Sequence, residues 1–137
     1  MKELEVVAVT DNLDQVIEFV DEQLEEFECS PKTQMQVELA VEEIFVNIAN
    51  YAYPPGSGKA WISTDISEDG SELTIVFKDS GVQYDPLAKP DPDITLSASD
   101  RNIGGLGIFM TKKSMDDISY EYKDNKNILT LKKNIAG

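Results

Sequence analysis

The sequence predicts an α+β fold: a two-layer sandwich in which a mixed, mostly antiparallel sheet is covered on one face by helices. Three observations predict it. An alternating apolar segment precedes two consecutive segments of helical period. Two strand-like runs joined by a turn signal follow them. After a long irregular stretch, a short glycine-led helix is followed by a last strand pair.

The elements are justified in order. Residues 2–9 carry Leu4 and Val6 in alternation, with Val7 and Val9 near the end, and read as a strand. Thr10 or Asp11 offers a cap for a helix running to about Glu28, whose stripe is Leu13, Val16, Ile17, Val20, Leu24 and Phe27. Ser30-Pro31 gives a capping hydroxyl and then proline at the first helical position, so a second helix runs from Pro31 to about Tyr51. The stretch Tyr53-Pro54-Pro55-Gly56-Ser57-Gly58 ends it. Lys59–Ile66 and Leu73–Phe77 are strands, with Asp69-Gly70 as their hairpin signal. Residues 80–103 lack a period and hold Pro86, Pro90 and Pro92; so long a connection in a compact domain points to function or disorder. Gly104-Gly105-Leu106-Gly107 opens a helix to about Lys113, and strands near 117–123 and 127–133 turn at Asp124-Asn125. The 137 residues suit one domain spanning 1–137.

Composition removes several kinds of chemistry. The net charge is -14, from 12 basic and 26 acidic residues, a field that repels nucleic-acid backbones and anionic lipid, so neither is expected as a partner. Cys29 is the single cysteine and there is no histidine, so an intrachain disulfide, a thiolate metal site and histidine acid–base chemistry are excluded. The opening MKELEVVAVT has acidic residues where a secretory signal needs an apolar run, and a cytoplasmic location is the expectation.

Three segments carry candidate chemistry. Within VELAVEEIFVNIANYAY, Glu43 and Asn47 are four apart and share a helix side with Asn50. A carboxylate there can take a proton from an attacking hydroxyl, and an amide oxygen is a hard donor suited to Mg²⁺. Asp79, in Lys78-Asp79-Ser80-Gly81 at the end of an apolar strand, can accept a hydrogen bond from an exocyclic amine, with Gly81 allowing close approach of a flat base. In Arg101-Asn102-Ile103-Gly104-Gly105-Leu106-Gly107-Ile108, glycines at a helix start leave N–H groups open to an anion, beside the chain's single arginine. No Gly-Lys-Ser/Thr follows, so this is not a Walker loop. Singly, each segment also fits an ordinary turn or solvated helix face; their order and spacing give them weight.

In that order they resemble the GHKL ATPase superfamily and, within it, the anti-sigma-factor serine/threonine kinase branch. ELAVEEIFVNIANYAY resembles the N box, VFKDSGVQYDPL the first glycine box with its Tyr84-Asp85-Pro86, and RNIGGLGIFMTKKSMDDISYEYKDNKNILTLKK the second with its closing hairpin. The resemblance implies the Bergerat ATP-binding sandwich. It implies Glu43 as general base, Asn47 as Mg²⁺ ligand and Asp79 as the adenine-binding carboxylate beside Gly81. Residues 82–103 would be a lid over ATP, with Asn50, Tyr84 and Arg101 as further nucleotide contacts and Gly104, Gly105, Leu106 and Gly107 as the phosphate turn. Two positions depart from the pattern: Tyr51 stands where relatives often carry His, and Gln83 replaces the second glycine of D-x-G-x-G. The resemblance further implies an anti-sigma-factor antagonist protein as phosphate acceptor, a sigma factor as the regulated protein, and a homodimer. A nucleotide-gated binding module that performs no phosphotransfer is the alternative, and an α+β adaptor without nucleotide a third.

Overall fold

The computed structural model describes residues 2–27, 29–53, 56–88 and 103–136. Strand β1 (Lys2–Val7) is followed by helices α1 (Leu13–Glu25) and α2 (Pro31–Tyr51), strands β2 (Lys59–Ile66) and β3 (Glu72–Asp79), helix α3 (Ile103–Ser114) and strands β4 (Asp117–Lys123) and β5 (Lys126–Asn134). The strands form one sheet in the order β1-β2-β3-β5-β4.

Every pairing in that sheet is antiparallel, where the sequence predicts a mixed, mostly antiparallel sheet. The reason is topological. Two helices intervene between β1 and β2, each reversing the chain, so β2 returns antiparallel. The β3–α3–β4 crossover does leave β3 and β4 running the same way, but β5 folds back between them and takes both ladders.

Local chemistry accounts for most boundaries. The Ser30 hydroxyl accepts from the Thr33 N–H at 3.2 Å, with Pro31 at the first helical position. Neither Thr10 nor Asp11 caps α1: Thr10–Asn12 form a 3₁₀ turn, and Asn12 instead donates to the Val7 carbonyl at 2.8 Å, tying the helix entry to the strand. Helix α1 ends at Glu25 rather than near Glu28; Phe27, last of its predicted stripe, lies against Gly70 of the β2–β3 turn. Asp124 and Asn125 both take positive φ (55° and 63°), as a two-residue hairpin requires.

The core lies between α1, α2 and the inward sheet face. Val16, Val20 and Leu24 of α1 and Val37, Val41 and Phe45 of α2 meet Ile62, Leu73, Ile75, Phe77 and Leu131, all fully buried. Burying side chains of this size contributes about 1.5–3 kcal/mol each. Among the described residues, no helix is long and apolar enough to cross a membrane.

Candidate functional site

Helix α2 carries the first half of the site. Its apolar stripe faces the sheet, which turns Glu43 and Asn47 toward the neighbouring helix and the sheet's end. The Asn47 amide donates to Glu43 Oε1 at 3.3 Å. That bond orients the carboxylate and leaves the Asn47 carbonyl oxygen as the free end of the side chain. Burial pushes the Glu43 carboxyl above its ordinary pKa; the Asn47 bond opposes the rise and the charge of Glu42 adds to it.

Helix α3 passes directly over this carboxylate. A Cβ added at Gly107 would collide with the Glu43 carboxyl group, so a residue without a side chain lets the two helices meet there. Gly104 and Gly105 belong to the first turn of α3, and Gly107 follows one residue after it. The carboxylate therefore sits against the second turn of α3, one turn from the helix start, where N–H groups without an intrahelical partner favour an anion. A groove between α2 and α3 opens onto Glu43, lined also by Leu39, Glu42, Met110 and Thr111.

The second half is a narrow cavity of about 40 Å³ between α2 and the end of the sheet. Ile44, Ile48, Phe77, Val82 and Leu129 give it apolar walls, and Asn47, Asp79, Tyr120 and Asn127 supply polar groups. Tyr51 and Tyr84 also line it, with ring centroids 6.1 Å apart and planes tilted by 35°. Asp79 is 5% exposed. Its Oδ1 accepts from the Gly81 N–H at 2.9 Å and from Asn127 Nδ2 at 2.9 Å. Burial raises the Asp79 pKa, and these two donors pull against it. Among the described lining residues there is no cation, and the walls suit a mostly apolar guest with an amine for Asp79.

The structure thus brings Asn47, Asp79 and Tyr84 to one cavity, with Glu43 and Gly107 adjoining through Asn47. Gly104, Gly105 and Leu106 lie at the start of α3. Asn50 is exposed and does not line the cavity. Arg101 lies outside the described residues, as does 89–102 of the expected lid. Gly81 lies against the Ala52 carbonyl: a Cβ there would strike it, and the next N–H, of Val82, donates to that carbonyl at 2.7 Å. Gly81 seats the strand end on the C-terminus of α2.

Asn127, Tyr120 and Tyr53 were not singled out in the sequence. Asn127 is buried opposite Asp79 in the β3–β5 register. Its signal was available: Asn127, Leu129 and Leu131 share the inward face of β5, so an amide stands where alternation calls for an apolar residue. Tyr53 carries no such signal. Its hydroxyl donates to the Lys59 carbonyl at 2.6 Å and accepts from the Ser80 N–H at 2.7 Å, clamping the loop after α2 to the end of β3.

Comparison with known proteins shows the family and the fold. Residues 6–133 match the histidine kinase-like ATPase domain. The chain is 29% identical over 102 residues to the serine/threonine-protein kinase BtrW of Bordetella bronchiseptica, covering 74% of this chain and 71% of that protein. In structure it is similar to the RsbU and RsbW domains of Rv1364c from Mycobacterium tuberculosis, with a TM-score of 0.65 at 14% identity; the match covers 97% of this chain and 32% of that one. The histidine kinase AdeS of Acinetobacter baumannii shares the fold at a TM-score of 0.52 and 13% identity, over 100% of this chain and 70% of AdeS. The chain belongs to the histidine kinase-like ATPase family, the GHKL group, and ATP binding follows at the level of that family.

Proposed function

We propose that this member of the histidine kinase-like ATPase family is an ATP-dependent serine/threonine protein kinase of the anti-sigma-factor type. The observation that carries the reading is the position of Glu43: its carboxylate is held by Asn47 on one side and abuts Gly107, near the glycine-led start of α3, on the other. A base and an anion-binding helix end in one place are what phosphoryl transfer to a hydroxyl needs.

In this reading the base of ATP enters the cavity and its amine donates to Asp79, while Tyr51 and Tyr84 offer ring faces at the wall. The triphosphate runs past Asn47 to the N–H groups of the Gly104–Gly107 turn, with Arg101 as a further contact. A Ser or Thr hydroxyl of the acceptor protein reaches Glu43 through the α2–α3 groove. Its proton passes to Glu43 as the oxygen bonds to the γ-phosphorus, the bond to the β–γ bridging oxygen breaks, and ADP leaves. The raised basicity of Glu43 favours that transfer.

The donor set fits Mg²⁺. No cluster of metal-ligating side chains occurs among the described residues, and a phosphate-bound Mg²⁺ needs only one or two protein oxygens. The Asn47 carbonyl, freed by its amide's bond to Glu43, would hold the ion, which supplies charge neutralisation on the phosphates. The serine/threonine kinase name of the Bordetella relative supports a protein acceptor. An anti-sigma-factor antagonist as acceptor, a sigma factor as the regulated partner, and a homodimer follow from the sequence resemblance and complete the proposal.

Glu43→Gln tests it. With labelled ATP, Mg²⁺ and candidate antagonist proteins, the variant should bind ATP as the parent does and lose transfer by roughly 10²- to 10⁴-fold. Transfer at the parental rate would overturn the kinase reading. Partner control that survives loss of transfer would favour the nucleotide-gated module.

A further inference from the structure

We propose that Asn127 decides which purine this site accepts, by fixing Asp79 as a hydrogen-bond acceptor toward the cavity. The inference rests on the nucleotide reading above, in which Asp79 meets the edge of the base.

The orientation of the Asn127 amide is forced by backbone groups. Its Oδ1 faces the Tyr84 N–H at 3.1 Å, a group that can only donate, and also accepts from the Tyr120 hydroxyl. Its Nδ2 faces the Val82 carbonyl at 2.9 Å, a group that can only accept, and directs its other hydrogen to Asp79 Oδ1. Flipping the amide would set donor against donor and acceptor against acceptor at 6% exposure, where unmade hydrogen bonds are costly. The hydrogen toward Asp79 is therefore a fixed feature of the fold.

It follows that Asp79 Oδ1, with the Asn127 and Gly81 hydrogens on it, cannot itself carry a proton. Oδ2 is the oxygen left for a guest. While Asp79 is ionised, Oδ2 accepts, which suits the 6-amino group of adenine. Were Asp79 protonated, the proton would have to sit on Oδ2, which would then donate and suit the 6-oxo group of hypoxanthine or guanine. Burial pushes Asp79 toward the protonated state, and Asn127 is the larger of the two hydrogen bonds that resist it. The groups facing Asp79 from the other elements do not replace it. Tyr53 and Tyr120 are phenols held neutral by burial, Asp85 adds only negative charge near Tyr120, and Asn47 and Tyr51 of α2 carry no charge.

Calorimetric titration of ATP and inosine triphosphate, each with Mg²⁺, tests this on the full chain. The parent should prefer ATP by roughly tenfold or more and keep that preference between about pH 6 and 8. Asn127→Leu should lose the preference at the acid end and regain ATP affinity as pH rises, a titration that a merely structural role would not produce. Asp79→Asn supplies a second route that leaves Asn127 in place. Asn127 and the Gly81 N–H should hold the new side chain's oxygen at the Oδ1 position and turn its NH₂ into the cavity, so that the preference reverses toward inosine triphosphate. A parent that binds neither nucleotide would sink the nucleotide reading and this inference with it. A parent that prefers ATP, with Asp79→Asn still preferring ATP or Asn127→Leu showing the parent's flat pH profile, would overturn the inference alone.

Discussion

At the scale of single residues, the site depends on side chains that are missing as much as on those present. Gly107 is the clearest case. Alanine there would gain up to about 1 kcal/mol of helix propensity, yet its methyl group would occupy the space of the Glu43 carboxyl. The obstacle is the tip of a flexible side chain, so Glu43 should yield rather than the helix. Gly107→Ala is therefore expected to unfold in urea within about 1 kcal/mol of the parent. On the kinase reading it should lose on the order of 10²-fold in phosphotransfer, because the proposed base leaves Asn47 and the start of α3. Parental activity in a normally folded variant would show that the observed position of Glu43 does not matter. This scale also marks how far the sequence could be read. Glu43, Asn47 and Asp79 stood out through the order and spacing of the three segments that carry them, since each alone also fits a turn or a solvated helix face. A glycine needed for close approach does not say what approaches; at Gly81 the neighbour within the fold is the Ala52 carbonyl. Asn127 breaks the apolar alternation of its strand, but only the register shows that it stands opposite Asp79.

At the scale of elements, the two helices covering the sheet hold an electrostatic strain that bears on stability. Asp21 of α1 faces Glu38 and Gln34 of α2, and its Oδ1 is buried without a hydrogen-bond partner. Burial first, then the charge and shared hydrogen bond of Glu38, push its pKa from 3.8 to about 6. Folding raises this pKa, so the folded chain binds the proton more tightly than the unfolded one. The resulting stabilisation is complete below the unfolded pKa of 3.8 and is lost as pH rises through about 6. Asp21→Asn should thus stabilise the protein near pH 7.5, by about 1 kcal/mol once solvent screening is allowed for, and do little near pH 4. Thermal unfolding of both proteins at the two pH values checks this, and an equal shift at both would refute it. Element identities were legible because the stripes of α1 and α2 and the alternation of β2, β3 and β5 encode them directly. Strand direction was less so. The parallel pairing that the β3–α3–β4 crossover suggests is pre-empted by β5, and nothing in the residues of β3 or β4 announces that.

At the scale of the whole molecule, the net charge of -14 surrounds a site proposed to hold a polyanion. Three elements converge on that site, α2, the β3 end and the α3 start, and the described residues that line the cavity bring no cation with them. In the proposed site, attraction would then come from short-range groups: the helix-end N–H donors, the Asn47 oxygen through Mg²⁺, and Arg101 as the further contact proposed above. The long-range field opposes binding, and salt screens long-range terms first, since the Debye length falls from about 10 Å at 0.1 M to about 3 Å at 1 M. Raising salt should therefore leave ATP affinity unchanged or strengthen it, with the effect larger for Mg²⁺-free ATP, which carries more charge. That is the opposite of the steep weakening seen where cationic surfaces hold phosphates. Melting curves read this directly. ATP with Mg²⁺ at a hundred times its dissociation constant should add roughly 2.7 kcal/mol to the folded state and raise the midpoint by on the order of 10 °C. The shift should persist in high salt and shrink sharply with a chelator. A shift that collapses with salt would mean that clustered cations, rather than backbone donors and a bridging ion, hold the phosphates. No shift under any condition would favour the adaptor reading over a nucleotide site.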